Sequence, residues 1–164
     1  MKTHSKRQFL NLMASAVLFG AITGIFTAVT VLCYKLCASR VIELSEKGYH
    51  YLRLHPILIP AVVVALLGIA FLYAFIYKRI PNLRGGGIPT SIGILRGLIT
   101  FKWLRNLIGT FLLSLTTFLI GVPLGNEGPS VQMGTAIGRG TVFSFAKKHR
   151  AWDRYSMTGG ACAG

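Results

Sequence analysis

The stretch GVPLGNEGPSVQMG, residues 121–134, joins a long apolar segment to a segment rich in small residues. It contains Glu127, one of only four acidic residues in a chain of 164. Glycine lets a backbone approach a ligand closely, and proline is tolerated in the first turn of a helix. The order of glycines, Pro129 and Ser130 therefore predicts an irregular turn that leads into a helix.

A second stretch, GGGIPTS at residues 85–91, has the same order of glycines, a proline and small hydroxyl residues. The first turn of a helix has unpaired N–H groups and carries roughly half a positive charge, so such ends bind anions. Short segments interrupted by Gly and Pro point to the central site of a membrane transporter. Ordinary turns at the membrane surface are the alternative. The predicted anion-binding residues are Gly85, Gly86, Gly87, Ile88, Pro89, Gly125, Asn126, Gly128 and Pro129.

The composition indicates a membrane protein. Hydrophobic residues make up 52% of the chain and charged residues 13%, against about a quarter in soluble proteins. Eighteen Lys and Arg give a formal charge of +14, and they cluster between the apolar runs. That clustering is typical of cytoplasmic loops, whereas a nucleic-acid surface would carry its charges along one face. The four histidines lack zinc-ligand spacing, and we expect no metal, cofactor or nucleic-acid partner.

Two apolar runs, Phe9–Leu36 and Pro56–Tyr77, each contain the roughly 20 residues that a membrane helix needs. The first is too long for the core of a signal peptide. Between them, residues 39–55 carry both signs of charge and predict an interfacial loop. Basic clusters before the first run and after the second place the N-terminus in the cytoplasm.

The later segments predict helices of other kinds. The segment after Gly87 is too short to span, and an apolar run follows at Leu104–Leu124. Residues 129–145 are rich in Gly, Thr and Ser, so we expect them to pack against protein rather than lipid. Glu127 is then a carboxylate among apolar helices, which costs several kcal/mol and is a functional signal. An interfacial glutamate beside a helix cap is the alternative.

These motifs resemble those of the CLC family of chloride channels and anion/proton exchangers. Residues 85–89 resemble the family signature G-S-G-I-P, and residues 125–132, GNEGPSVQ, resemble G-R-E-G-P-x-V-Q. The closing GGACAG is similar to the start of the family's small-residue helix. The resemblance implies that residues 1–164 are the N-terminal part of one all-α transmembrane domain. That domain would have an inverted-repeat fold of spanning and half-spanning tilted helices.

The resemblance also implies a homodimer in the plasma (inner) membrane with a pore in each subunit. Glu127 matches the gating glutamate, which carries protons in the exchangers, and chloride is the implied anion. Two positions depart from the family: the signature serine is Gly86, and the arginine before the glutamate is Asn126. They leave a fluoride/proton exchanger open.

Two hypotheses from other classes remain. One is a transport-inactive, membrane-anchored basic protein. The other is a membrane enzyme that uses Glu127 as an acid or base, but the sequence has no nucleophile–base pair, metal cluster or phosphate-binding loop to support it.

Overall fold

A computed structural model describes residues 2–84, 86–122, 125–145 and 150–164. Its α-helices are α1 (Lys2–Leu54), α2 (Ile59–Arg79), α3 (Ile88–Leu95), α4 (Trp103–Leu119), α5 (Glu127–Phe145) and α6 (Arg150–Ala163). A short 3-10 turn at Pro56–Leu58 precedes α2, and another at Pro81–Leu83 precedes the glycine-containing turn that leads into α3. The expected all-α architecture is therefore observed in the described residues.

Two segments in the described part of the chain are long and apolar enough to span a membrane, Ala16–Leu54 and Pro56–Arg79. They contain most of the first predicted run and all of the second. The eight-residue α3 is too short to span, as predicted. α4 ends at Leu119, and Pro123 and Leu124 of the predicted fourth run lie outside the described residues.

The predicted interfacial loop at residues 39–55 is wrong, because α1 continues as a helix to Leu54. The polar side chains in this part of α1 make tertiary contacts with the end of α4. Ser45 Oγ donates to the carbonyl oxygen of Leu119 at 3.0 Å, and the Tyr49 hydroxyl donates to that of Ile120. Glu43 and Lys47, one turn apart, form an ion pair at 2.7 Å. The mixed charges thus decorate a helix that packs on the end of α4.

The second half of the chain forms the centre of the fold. Helix α5 contacts α1, α3, α4 and α6. Only Val131 and Arg139 of residues 130–142 are not fully buried, which confirms that this helix packs against protein. Two core clusters flank it. One consists of Tyr34, Ala38, Phe118 and Met133, and the other of Ile94, Phe101, Ala136 and Met157.

Backbone contact joins α5 to α6. A Cβ at Gly134 would overlap the carbonyl oxygen of Gly160, and one at Gly138 would overlap that of Ser156. Membrane helices use small residues in this way because dispersion and close packing, rather than a hydrophobic effect, hold them together. Glycine at these positions therefore determines how closely the two helices approach.

Three buried hydroxyls tie α1 to the same pair. Thr23 Oγ1 lies 2.6 Å from Ser156 Oγ and 2.9 Å from Thr141 Oγ1, and the latter two lie 3.0 Å apart. Thr141 also donates to the carbonyl oxygen of Gly138. Because each hydroxyl has a partner, the triad adds polar contacts between three helices and leaves none of its three groups unsatisfied.

Candidate functional site

The two glycine-containing turns meet in space. Gly87 has a φ of +71°, which favours glycine, and a Cβ there would overlap the carbonyl oxygen of Gly128. A Cβ at Gly128 would lie 2.5 Å from the carbonyl oxygen of Gly86. The N-terminal ends of α3 and α5 are therefore in backbone contact, and only glycine fits at the crossing.

α3 starts at Ile88 and α5 at Glu127, so each proline lies inside the first turn of its helix. The first turn tolerates proline because its N–H groups have no intrahelical acceptor. The Ser91 N–H donates to the carbonyl oxygen of Gly87 at 2.9 Å, and the Ser130 N–H donates to that of Asn126 at 3.2 Å.

A cavity of about 320 Å³ lies at this crossing. The predicted residues Gly86, Gly87, Ile88, Gly125, Glu127, Gly128 and Pro129 line it. Tyr77, Leu83 and Gln132 also contribute, together with Thr110, Leu113, Ser114 and Thr117 of α4. Since a water molecule takes up about 30 Å³ in the liquid, the cavity has room for a small ion and several waters. We call it the central cavity.

Glu127 is exposed and lines the central cavity. Its carboxylate makes no ion pair or hydrogen bond with the part of the chain that the structure describes. As the first residue of α5, it lies where the helix dipole favours negative charge. A carboxylate at this position is held by the field of a helix end rather than by a fixed partner.

A larger cavity of about 690 Å³ adjoins the first, and Gly125 lines both. Asn126 lines this outer cavity and not the central one. Three ionisable side chains of α1, Glu46, His50 and Arg53, also line the outer cavity. The segment at residues 125–127 therefore lies between the outer cavity, whose lining includes charged side chains, and the central cavity, which Glu127 lines.

Not every predicted site residue lies at the central cavity. Gly85 is outside the described residues, and Pro89 is exposed and does not line the cavity. The contribution of α4 was missed, although its polar residues Asn106, Thr110 and Ser114 recur at every fourth position. Residues four apart share one helix face, so that spacing was the available signal.

Gln132 connects the site to the chain before the first turn. Its Nε2 donates to the carbonyl oxygen of Asn82 at 3.1 Å, and Asn82 Nδ2 donates to that of Thr100 at 3.0 Å. These bonds join the first turns of α5 to the segments on either side of α3. The position of one glycine turn therefore depends on the other.

At the far end of α5, Arg139 lies over the ring of Phe101, 4.9 Å from its centroid. Partial burial raises the pKa of Asp153 on α6, and the charge of Arg139 opposes that shift. Arg139 and Asp153 lie outside the two candidate spans and do not line the central cavity.

Comparison with known proteins agrees with the fold. A family model described as voltage gated chloride channel matches residues 69–164. The chain is 29% identical over 154 residues to the H(+)/Cl(-) exchange transporter ClcA of Salmonella arizonae. That alignment covers 90% of this chain and 32% of the relative.

The H(+)/Cl(-) exchange transporter ClcA of Salmonella schwarzengrund is 30% identical over 156 residues, which is 91% of this chain and 32% of the relative. The chain thus spans about a third of the length of the curated relatives that it matches. The matched region contains both glycine turns and Glu127. This all-α integral membrane protein belongs to the voltage gated chloride channel family.

Proposed function

We propose that this chain contributes to anion transport across a membrane, as a chloride channel or an anion/proton exchanger. The observation that carries the proposal is the meeting of two helix N-terminal ends and Glu127 at one cavity. Two such ends provide N–H donors and positive potential without a formal positive charge. A site of this kind attracts a small anion and, with no Lys or Arg among the described residues that line it, holds the anion weakly enough to release it.

Glu127 acts as the gate of this site in our proposal. An ionised carboxylate competes with the transported anion for the same helix ends, because both are stabilised by the same donors. Protonation removes the charge and the competition, which frees the site and moves one proton. The absence of a fixed partner for Glu127 among the described residues is consistent with a side chain that must move.

We further propose that residues 1–164 are the N-terminal part of a longer subunit with an inverted-repeat fold. The support is that the alignments cover about 90% of this chain but only 32% of each relative, so the relatives are about three times as long. Sites in inverted-repeat transporters lie between the repeats, so the complete pore needs residues beyond this segment. By the same analogy, the complete protein is a homodimer in the plasma membrane, in contact with lipid and carrying chloride and protons.

The anion could also be fluoride, because Gly86 and Asn126 replace the serine and arginine of the family signatures. Chloride is favoured by the names of the relatives, which are H(+)/Cl(-) exchange transporters. Flux of both anions from the same vesicles separates the two substrates.

Transport is tested with the complete gene product in liposomes, by ion-selective and pH electrodes. We expect chloride or fluoride efflux above that of empty vesicles. Glu127→Gln should retain efflux and lose coupled proton movement and pH dependence, because glutamine cannot ionise. Glu43→Gln, which removes an exposed carboxylate of α1, is the matched control and should behave as wild type. Unchanged proton movement and pH dependence in Glu127→Gln would contradict the proposed gate.

The second candidate is a transport-inactive membrane protein, for which the basic clusters between the apolar segments are the supporting feature. The coding sequence after Gly164 decides between them. An open frame with a second apolar repeat supports the transporter. A stop codon there, with no anion flux from the purified chain, supports the inactive protein.

The proposed orientation places both ends of the α1–α2 hairpin in the cytoplasm. Cysteines at Lys6 and Lys78 should resist a membrane-impermeant reagent added to intact cells. A cysteine at Arg53, near the opposite end of α1, should react. Modification of Lys6→Cys and Lys78→Cys from outside would contradict this orientation.

A further inference from the structure

Thr110 differs from the other hydroxyl residues of α4. Ser114, Thr116 and Thr117 each donate to the carbonyl oxygen of the residue four positions earlier, at 2.6 to 2.8 Å. This local bond is the usual way for a hydroxyl to be satisfied inside an apolar helix. Thr110 Oγ1 does not make it, and has no hydrogen-bond partner among the described residues. The helix itself therefore supplies no acceptor for this hydroxyl.

Burial makes a hydroxyl without a hydrogen-bond partner energetically costly. Thr110 is only 6% exposed, and Asn106, one turn earlier on the same face, is 2% exposed. Both polar atoms of the Asn106 side chain are likewise without a partner in the described chain. Buried donors without acceptors are rare and destabilising, so each one calls for an explanation. Thr27, Ser91 and Ser130 have such an atom as well, but of the described residues that do, Thr110 alone lines the central cavity, so its hydroxyl is the one placed to meet a polar ligand there.

The location of Thr110 identifies that ligand. Thr110 lines the central cavity, as do Glu127 and residues of both glycine turns. Three other polar side chains that line the cavity are engaged: Ser114 and Thr117 donate to carbonyl oxygens of α4, and Gln132 donates to the carbonyl oxygen of Asn82. Tyr77, which also lines the cavity, is half-buried rather than buried. Gly86 has no side chain to offer. Thr110 is thus a buried side-chain hydroxyl that is free to donate at this cavity.

We propose that the Thr110 hydroxyl donates a hydrogen bond to the anion in the central cavity and helps to select which anion is transported. The proposal rests on the proposed transport function. It assigns to α4 the side-chain donor that the α3 turn lacks at Gly86. The anion then meets backbone N–H groups from two helix ends and one hydroxyl from a third helix.

Selectivity follows from the nature of the donor. A hydrogen bond to a charged acceptor strengthens as the charge of the acceptor becomes more concentrated. A single O–H donor therefore favours chloride over a large anion of diffuse charge such as thiocyanate. Loss of the hydroxyl lowers the affinity for the small anion more than the affinity for the large one. The ratio of the two affinities therefore reports on the hydrogen-bond donor.

The test measures chloride and thiocyanate binding to the purified complete gene product by calorimetry, and flux of both anions in liposomes. Thr110→Val keeps the shape and removes the hydroxyl, so chloride affinity should fall by about tenfold or more, the effect of losing one hydrogen bond to a charge. The chloride-to-thiocyanate ratio should fall with it. Thr110→Ser keeps the donor and should remain within about twofold of wild type.

Thr116→Val is the matched control, since Thr116 does not line the cavity and its hydroxyl bonds within α4. It should leave both anions unaffected. If Thr110→Val does not fold, Thr110→Ala and Thr110→Ser provide the same contrast. Wild-type chloride affinity and selectivity in folded Thr110→Val or Thr110→Ala would overturn the proposal.

Failure of the transport function gives a different result. In that case the wild type itself shows no anion flux, and Glu127→Gln has no effect. If the wild type transports and Glu127→Gln alters it while Thr110→Val does not, only the role of Thr110 is wrong.

Discussion

Helices α2 and α5 have opposite environments and opposite compositions. α2 belongs to the more apolar of the two candidate spans, yet the described chain buries none of its residues. α5 contains Glu127, Gln132 and Arg139 and many small residues, yet it lies at the centre of the fold. In a soluble protein the more apolar helix would be the more buried one. Here the order is reversed.

The reversal follows from the solvent. Lipid tails are as apolar as leucine, so a helix such as α2 gains little by leaving them for the protein interior. Backbone proximity and hydrogen bonds reward burial instead, and α5 offers both through Gly134, Gly138 and Thr141. Among the described residues, high hydropathy therefore goes with the helix that protein leaves uncovered, and small residues go with the helix that protein buries.

The largest expected effect comes from adding a side chain at the α5–α6 contact. Gly134→Leu places its side chain against the carbonyl oxygen of Gly160, so the helices must separate. We expect a loss of more than about 4 kcal/mol, measured as failure to obtain a monodisperse protein in detergent. Gly68→Leu on α2 has nothing within 4 Å of its Cβ position and should fold as wild type. Equal behaviour of the two variants would show that the backbone contact between α5 and α6 is no more sensitive to an added side chain than the exposed face of α2.

Truncation of a large side chain gives the next effect. Met133 is fully buried in the core cluster with Tyr34 and Phe118, whereas Phe71 on α2 is 83% exposed. Met133→Ala should cost about 3 kcal/mol of unfolding free energy, and Phe71→Ala less than about 0.5 kcal/mol. Unfolding by denaturant in mixed micelles measures both. A larger loss at Phe71 would show that α2 packs against protein.

Removal of one hydroxyl from the buried triad should have a smaller effect. Thr23→Val deletes the contacts with Thr141 and Ser156, which can still bond to each other at 3.0 Å. We expect a loss of about 1 kcal/mol in the same unfolding assay. Thr30→Val, which loses only a bond to the carbonyl oxygen of Phe26, is the control. Identical stabilities would mean that the triad adds nothing to helix association.

The smallest effect is expected at the polar contact between α2 and α4. The Tyr73 hydroxyl donates to the carbonyl oxygen of Leu113 at 2.7 Å and lies 3.0 Å from Thr117 Oγ1. Tyr73→Phe should cost about 0.5 to 1 kcal/mol in the same assay, because the carbonyl oxygen keeps its bond from Thr117. A loss of several kcal/mol would show that α2 is anchored by this contact rather than by lipid.

Sequence patterns predicted the parts of the fold that depend on local chemistry. The glycine-proline turns, the short α3 and the inward packing of α5 all follow from residue types at fixed spacings. The loop predicted at residues 39–55 was wrong because Ser45 and Tyr49 bond to carbonyl oxygens at the end of α4. Those partners lie more than 70 residues away, and no local pattern identifies them.

The candidate site was predicted in part for the same reason. Glu127 and the glycine turns carry recognisable motifs, and they line one cavity. Thr110 belongs to no sequence motif. It stands out because its buried hydroxyl has no hydrogen-bond partner among the described residues. Such a feature exists only once the neighbouring side chains have been placed.

The central claim is that Glu127 and the anion compete for the same pair of helix ends. The most direct measurement is chloride affinity of the complete gene product as a function of pH, for wild type and Glu127→Gln. We expect wild-type affinity to rise as pH falls, because protonation removes the competing charge. Glu127→Gln should bind chloride at every pH at least as tightly as acidified wild type. Identical pH dependence in the two proteins would contradict the claim.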